Sequence, residues 1–311
     1  MTWSDLESVI RNSSSFLITS HVGLDGDCVG SQLAMQWYLR LRGKSCTIFD
    51  QDPVPAKFRF LAGTDTITGD KPDGPFDVLF ILDCSNPERM GWKGYRDIAR
   101  VCINIDHHRD NTHFADINIV DQRASATAQL LYAFFLDSMV QIPASIAACL
   151  YAAILTDTGG FRFSNTNSTV LRICSELAGL GAECSEIYRT IYDFHSPNGL
   201  MLRSRIWSTL QFHMNGRICS FEMPLNLIEK LGATYSDAEG MADFTVMADG
   251  VQVGVFIKYS ENETHFSLRS RGAVDVGKIA QKTAGGGGHG NAAGCTVPLP
   301  VEQAKPIMLE A

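Results

Sequence analysis

The sequence predicts an α/β fold: an N-terminal parallel-sheet domain with flanking helices (1–192), a linker (193–200), and a smaller C-terminal α/β domain with a mixed sheet (201–311). Three observations predict it. Continuous apolar runs that stop at a polar residue recur through the first two thirds. Segments with helical apolar spacing alternate with them. Beyond residue 200 the apolar period changes to two.

The first apolar run, Ser15 to Ser20, stops at His21. A polar, glycine-containing turn follows, then a helix whose apolar residues Leu33, Ala34, Trp37, Tyr38 and Leu41 fall on one face. Phe76 to Leu82 stops at Asp83, and Val101 to Ile105 stops at Asp106. Runs of this kind suit parallel strands buried on both faces. Helices are expected at Ala124–Leu136, Ala144–Asp157 and Ser168–Gly181. The turn-rich stretch Tyr192–Gly199 marks the break between domains. After it, Val251, Val253, Val255 and Ile257 alternate, and His265, Ser267 and Arg269 alternate with Phe266 and Leu268, as in a sheet with one exposed face.

The 311 residues include 26 Lys+Arg and 34 Asp+Glu, a net charge of −8, with 45% hydrophobic and 19% charged residues. This is a globular composition with enough chain for two domains. The acidic balance excludes a surface that coats long nucleic acid. Residues 1–200 carry 23 acidic against 16 basic side chains, so the excess lies in the first domain. The longest apolar stretches, such as Ile146–Leu155, are too short to cross a bilayer, and the N-terminus has no secretory signal core. Nine scattered cysteines without a Cys-x-x-Cys pair read as reduced thiols of a cytoplasmic protein.

Three predicted strands end in ligand-type residues: His21, Asp25 and Asp27 after the first, Asp83 after the second, and Asp106, His107 and His108 after the third. Sites in open parallel sheets form beyond the carboxyl ends of the strands, so these loops can converge. For Asp25 and Asp27 the competing reading is a turn and a helix cap. Asp157 is independent of the strand ends. It lies eleven residues beyond Ile146, on nearly the same helix face, near a C-terminus whose dipole disfavours an anion. A carboxylate aimed inward there needs a cation; the alternative is a solvated turn at Thr158-Gly159-Gly160. Imidazoles and carboxylates without paired thiolates suit Mn²⁺, Fe²⁺ or Mg²⁺ better than structural Zn²⁺. The set exceeds the needs of one ion and would serve two divalent ions sharing a carboxylate. Such a pair lowers the pKa of a water and holds a phosphoryl group for in-line attack.

The second domain offers Arg269, Arg271, Lys278 and Lys282 together with a glycine run, Gly285 to Gly288, before His289. Glycines let backbone N–H groups approach phosphates, and arginine binds them bidentately. The competing reading is a flexible linker beside a solvated strand.

SHVGLDGDCVGS (20–31), DCS (83–85), DHH (106–108), the Asp157 segment LTDTGGFRFSNT and GGGGHGNAAG (285–294) together resemble the DHH phosphoesterase superfamily and the GGGH loop of its DHH-associated C-terminal domain. The resemblance spans almost the whole chain, in the family's order. It points to the short, two-domain NrnA-like type of oligoribonuclease (nanoRNase) and 3′-phosphoadenosine 5′-phosphate phosphatase.

That resemblance implies two manganese ions, with Mg²⁺ or Co²⁺ as substitutes. His21, Asp25 and Asp83 would hold one; Asp27, Asp83, His107 and Asp157 would hold the other, with Asp83 bridging. Asp106 would orient His107, and His108 would face the scissile phosphate as electrophile or proton donor. Arg269, His289, Gly287 and Gly288 would bind the substrate's phosphate or terminal nucleotide. Charge adds Arg271 and Lys278. The active site is expected in the cleft between the domains, which would select short RNA or a small phosphonucleotide over long nucleic acid or a membrane. A homodimer is left open.

Gly290 and Asn291 depart from the bulkier residue and the proline usual after the family's His, which bears on substrate preference. Cys28 follows Asp27 directly, with packing as its expected role. A phosphodiesterase for cyclic or linear dinucleotides is the nearest alternative. Below it rank a RecJ-type exonuclease, for which the chain is short and acidic, a family II pyrophosphatase, which lacks the GGGH loop, and a non-catalytic nucleotide-binding module, which would have lost ligands.

Overall fold

Parallel strands form wherever the apolar runs are continuous, and their order sets the site. The computed structural model describes residues 3–193, 195–272, 274–284 and 286–311, the side chains of Ala284 and His289 excepted. The chain divides into two compact units, Met1–Phe194 and His195–Ala311.

The first unit contains α1 (Trp3–Asn12), β1 (Ser15–Thr19), α2 (Gly26–Leu41), β2 (Ser45–Phe49), β3 (Ile67–Thr68), β4 (Phe76–Leu82), β5 (Ala99–Asp106), β6 (Ile117–Val120), α3 (Thr127–Asp137), α4 (Ala144–Asp157), α5 (Ser168–Gly179) and α6 (Cys184–Tyr188). The sheet order is β3-β2-β1-β4-β5-β6, and the pairings are parallel. Alternate residues of the central strands serve two cores. Phe16, Ile18, Phe80 and Ile103 face α2, α3 and α4; Leu17, Leu79, Ile81 and Cys102 pack with Phe49, Met90 and Trp92 on the other face. The order in which strands are added switches sides between β1 and β4, β2 and β3 lying outside one and β5 and β6 outside the other, so the loops after β1 and β4 leave the same edge at the centre of the sheet.

Two glycines bring α2 against α4. A Cβ at Gly26 would lie 2.2 Å from Thr156 Oγ1, and one at Gly30 would lie 2.4 Å from the Cys149 carbonyl. Only hydrogen at these positions lets the start of α2 reach the end of α4. On α2 the burial extends almost all round the helix, while Leu41, placed on the apolar stripe by spacing, is exposed at its end. The expected helix at 124 begins at Thr127, and residues 124–126 instead form the approach to it. The short strands β2, β3 and β6 carry no strong apolar run and were not expected.

The second unit contains α7 (Pro197–Trp207), β7 (Gln211–His213), β8 (Ile218–Pro224), α8 (Asn226–Leu231), α9 (Met241–Phe244), β9 (Val253–Tyr259), β10 (Thr264–Ser270), α10 (Val276–Ala284), β11 (Gly287–His289), β12 (Ala292–Val297) and α11 (Val301–Glu310). Its sheet runs β11-β12-β10-β9-β8-β7 and is mixed: β8 pairs with β9 in parallel, the other pairs are antiparallel. Along β10 burial alternates, with Phe266 and Leu268 inside. The 193–200 stretch is not all linker. Ser196 Oγ accepts the Gly199 N–H and Pro197 occupies the first turn, so Ser-Pro-Asn-Gly starts a helix instead of closing a turn.

Candidate metal centre

Every strand-end residue singled out above meets at one place in the first unit. Asp25 caps α2: its Oδ1 accepts the N–H groups of Asp27 and Cys28, both at 3.0 Å. Its Oδ2 faces His21 Nε2 at 3.7 Å. The cap and the site are therefore the same residue. His21 Nδ1 donates to the Val22 carbonyl at 2.8 Å, which leaves the Nε2 lone pair for the cluster.

Asp83 follows β4 in the left-handed region, at φ 56°, which a non-glycine residue rarely adopts. That turn directs its two oxygens to opposite sides: Oδ2 lies 3.7 Å from His21 Nε2, and Oδ1 lies 3.4 Å from His107 Nε2. Cys28 Sγ, buried beside it, donates to Asp83 Oδ2 at 3.4 Å. His107 Nε2 also lies 3.4 Å from Asp157 Oδ2 and 3.8 Å from Asp27 Oδ2. It is buried, surrounded by three carboxylates and without a hydrogen-bond partner. Asp157 ends α4, on the face that helical spacing indicated.

Among the described residues three overlapping groupings bring donor atoms close enough to hold an ion: His21, Asp25, Cys28 and Asp83; Asp83, Asp106, His107 and His108; and Asp27, His107 and Asp157. The donor set fits divalent cations. Burial pushes the Asp83 carboxyl far up, and the charges of Asp27 and Asp25 add to it. Burial, with the Asp27 charge, raises Asp157 to about 9. So dense a group of carboxylates ionises together only with a compensating cation, and the unpartnered His107 nitrogen is the neutral donor such a cation takes.

The residues behind the ligands are largely ones that sequence reasoning missed. Asp27 is fully buried, and its oxygens accept the Thr127 N–H at 2.5 Å, the Ala128 N–H at 3.0 Å and Ser31 Oγ at 3.0 Å. Asn104 Nδ2 ties the ends of β4 and β5 by donating to the Ile81 and Cys84 carbonyls. The expected orientation of His107 by Asp106 is not what occurs. Asp106 Oδ1 bonds His108 Nδ1 at 2.7 Å, and Asn111 Nδ2 holds Asp106 Oδ2 at 2.5 Å. His107 and His108 lie side by side, with ring centroids 4.7 Å apart, and it is His108 whose Nδ1 reaches Asp106. His108 Nε2 meets Arg89 Nη1 at 3.1 Å. Arginine only donates, so Nε2 accepts, the ring proton sits on Nδ1, and the ring donates to Asp106. Only the arginine's place in the loop after β4 could have signalled it.

The second-unit candidates are grouped differently. Arg269 stands on β10 opposite Ala292 of β12, and its Nε is paired with Asp243 Oδ1 at 2.6 Å. Arg271 is exposed, and Lys278 faces Asp275 at 3.5 Å. The glycine run is an edge strand, not a linker: Gly287 pairs with Gly294 and Gly288 with Ala293. Gly288 has φ 138°, and a Cβ there would lie 2.5 Å from the Ala292 carbonyl oxygen. Gly285 and the His289 side chain lie outside the described residues.

Known proteins match this arrangement along the chain. The DHH family N-terminal domain matches residues 15–154, and the DHHA1 domain matches residues 221–311. The bifunctional oligoribonuclease and PAP phosphatase NrnA of Thermus thermophilus is 35% identical over 296 residues, 94% of this chain and 88% of that one. Its namesake from Bacillus subtilis is 26% identical, over 94% and 93%. An exopolyphosphatase-related protein from Bacteroides fragilis superposes with a TM-score of 0.92 at 25% identity, covering 99% of this chain and 94% of that structure. The DHH match contains the cluster residues from His21 to His108, with Asp157 three residues beyond it, and the DHHA1 match contains the glycine strand; with these matches and a relative this similar over nearly the full length, the chain belongs to the DHH family, to its NrnA-type members with a DHHA1 domain.

Proposed function

We propose that the protein is a two-metal phosphoesterase that hydrolyses short oligoribonucleotides to mononucleotides and removes the 3′-phosphate of 3′-phosphoadenosine 5′-phosphate. The observation that carries the reading is the meeting of His21, Asp25, Asp27, Asp83, His107 and Asp157 around an unpartnered His107 nitrogen. The T. thermophilus and B. subtilis relatives bear the name of both activities.

In this reading His21, Asp25 and Asp83 hold one divalent ion, and Asp27, Asp83, His107 and Asp157 hold the second. Asp83 would serve both, since its two oxygens face the two histidines. Manganese suits this set of carboxylates and imidazoles. Ions bound there supply an activated water nucleophile and neutralise charge on the phosphoryl group. The chain's own residues do the rest. Asp106 and Asn111 fix His108 at the edge of the cluster, and the start of α3 fixes Asp27. Arg269, Arg271, Lys278, His289 and the backbone at Gly287 and Gly288 bind the substrate's terminal phosphate or nucleotide. For Arg269 that requires sharing its guanidinium with Asp243. Cytoplasmic residence accords with nine free cysteines. No helix among the described residues is long and apolar enough to cross a membrane.

A substrate panel tests the reading: pApA, cyclic di-AMP, an RNA five-mer and phosphoadenosine phosphate, each with Mn²⁺, Mg²⁺ or Co²⁺, products resolved by length. Mononucleotides from the five-mer and pApA, with AMP from phosphoadenosine phosphate, support it. Cleavage confined to cyclic di-AMP overturns it in favour of a dinucleotide phosphodiesterase.

A further inference from the structure

One cationic side chain at the cluster is left unused by the metal reading. Arg89 lies in the loop that leaves β4, and its backbone is secured twice. Its carbonyl accepts the Val22 N–H at 2.8 Å, which laces the loop to the one carrying His21. Its N–H donates to Asn86 Oδ1 at 3.0 Å. The side chain is half-buried, and the partner of Nη1 is the imidazole nitrogen of His108, not a carboxylate. The guanidinium lies close enough to the cluster for its charge to act on both His21 and Cys84.

A half-buried arginine whose contact is a neutral imidazole keeps most of its charge and several N–H groups unspent. The row Asn111–Asp106–His108–Arg89 is directional: an amide donates to a carboxylate, the carboxylate accepts the ring Nδ1–H, and the ring Nε2 accepts the guanidinium N–H. Each member orients the next, so the guanidinium is held by a neutral acceptor that does not cancel its charge. In this arrangement the His108 Nδ1 side faces Asp106 and the Nε2 side faces Arg89.

We propose that Arg89 is the phosphate-binding cation of the first unit, donating to a non-bridging oxygen of the substrate's scissile phosphate while Asp106 and His108 act as positioning residues behind it. Planar guanidinium donors match phosphate oxygens, and in a partly water-excluded site such a donor stabilises the charge that develops in phosphoryl transfer. The inference rests on the phosphoesterase reading for its substrate, though not for the anion site itself.

The test uses the full-length protein and three variants, Arg89→Gln, Arg89→Lys and Arg89→Ala. Calorimetric titration of the Mg²⁺-loaded protein with inorganic phosphate reads the anion site directly. Mn²⁺ affinity and the melting temperature read any structural role, and kcat and KM are measured on the substrate panel. The expected result is a tenfold or greater loss of phosphate affinity in Arg89→Gln, with Mn²⁺ affinity and melting temperature unchanged. kcat/KM should fall by about 100-fold, the usual cost of one transition-state donor. Arg89→Lys should recover part of the phosphate affinity, and added guanidinium should restore part of the activity of Arg89→Ala. Unchanged phosphate affinity in Arg89→Gln overturns the proposal. So does a parallel loss of Mn²⁺ affinity, or a Lys variant no better than Gln. If the wild type binds phosphate through Arg89 yet cleaves none of the four substrates, the phosphoesterase reading fails and the anion site stands.

Discussion

Asp27 receives the backbone N–H of Thr127 at 2.5 Å, so a carboxylate at the start of one helix is seated on the first turn of another. The Ala128 N–H joins it at 3.0 Å. A helix N-terminus offers unpaired N–H groups and partial positive charge, and here it holds an anion in a position fixed before any cation arrives.

Ser31 completes that seat, with Oγ donating to Asp27 Oδ1 at 3.0 Å in a fully buried position. Ser31→Ala should leave the fold intact and weaken one Mn²⁺ site by tenfold or more, the usual cost of losing a hydrogen bond that orients a ligand. Mn²⁺ binding followed by electron paramagnetic resonance measures this. An unchanged affinity at both sites would show that the α3 N–H groups suffice.

Asp83→Asn separates metal binding from stability. Asparagine tolerates the left-handed backbone that Asp83 adopts, so the loop should survive. Hydrolysis should drop to background. In chelator the variant should melt above the wild type, because a buried carboxyl crowded by Asp27 and Asp25 has been made neutral. Added Mn²⁺ should then stabilise the wild type, by about 2.7 kcal/mol at 100 times its Kd, and the variant much less. Equal gains in both proteins on scanning calorimetry would remove Asp83 from the ligand set.

Asp50 sets a pH dependence of its own from beside Ser20, the residue before His21, whose charge partly offsets the rise. Burial raises its carboxyl to about 6, against the opposing hydrogen bonds from Gln32 and the Ser20 N–H. The folded value lies above the unfolded one, near 3.9, so the native state holds the extra proton between them. The Asp50 contribution to stability is therefore greatest below about pH 4 and is lost as pH rises through 6. The change is roughly 3 kcal/mol at 1.36 kcal/mol per unit of pKa. Urea melts of the wild type and Asp50→Asn between pH 4 and 7 should converge at the acid end and separate in favour of the variant above pH 6. Parallel curves would refute the assignment.

Gly288→Ala should displace the edge strand β11. The new methyl meets the Ala292 carbonyl and the Ala293 Cα, both 2.5 Å away, on a backbone that L side chains rarely adopt. The expected signature is faster amide hydrogen exchange at 286–294 and a raised KM, with Mn²⁺ affinity unchanged. A normal exchange pattern together with normal KM would argue that this strand binds no substrate.

Several residues of the cluster were legible because they interrupt a pattern. His21, Asp83 and Asp106 end apolar runs that a buried strand requires, and Asp157 keeps the phase of an apolar helix face where no anion belongs. Their supports were not legible. The Thr127 and Ala128 donors are backbone N–H groups, which every residue has. Asn111 and Arg89 lie in polar loops whose composition shows nothing of where they fold back. The partner of Asp106 depended on which way residues 107 and 108 turn, a matter of backbone direction, not residue type. Ser-Pro-Asn-Gly serves a turn or a helix start equally well, and Ser196 decided it by capping. Arg269 was read as an open cation because Asp243, its partner, is distant in sequence.

Each unit has buried apolar clusters of its own among the described residues. Residues 6 to 191 supply the two clusters of the first, and residues 202 to 308 supply those of the second. The glycine strand and the residues around Gly290 and Asn291 pack within the second unit, whose sheet they join at its edge. The departures at Gly290 and Asn291 therefore lie in the tight connection from β11 to β12, in a different unit from the carboxylate cluster.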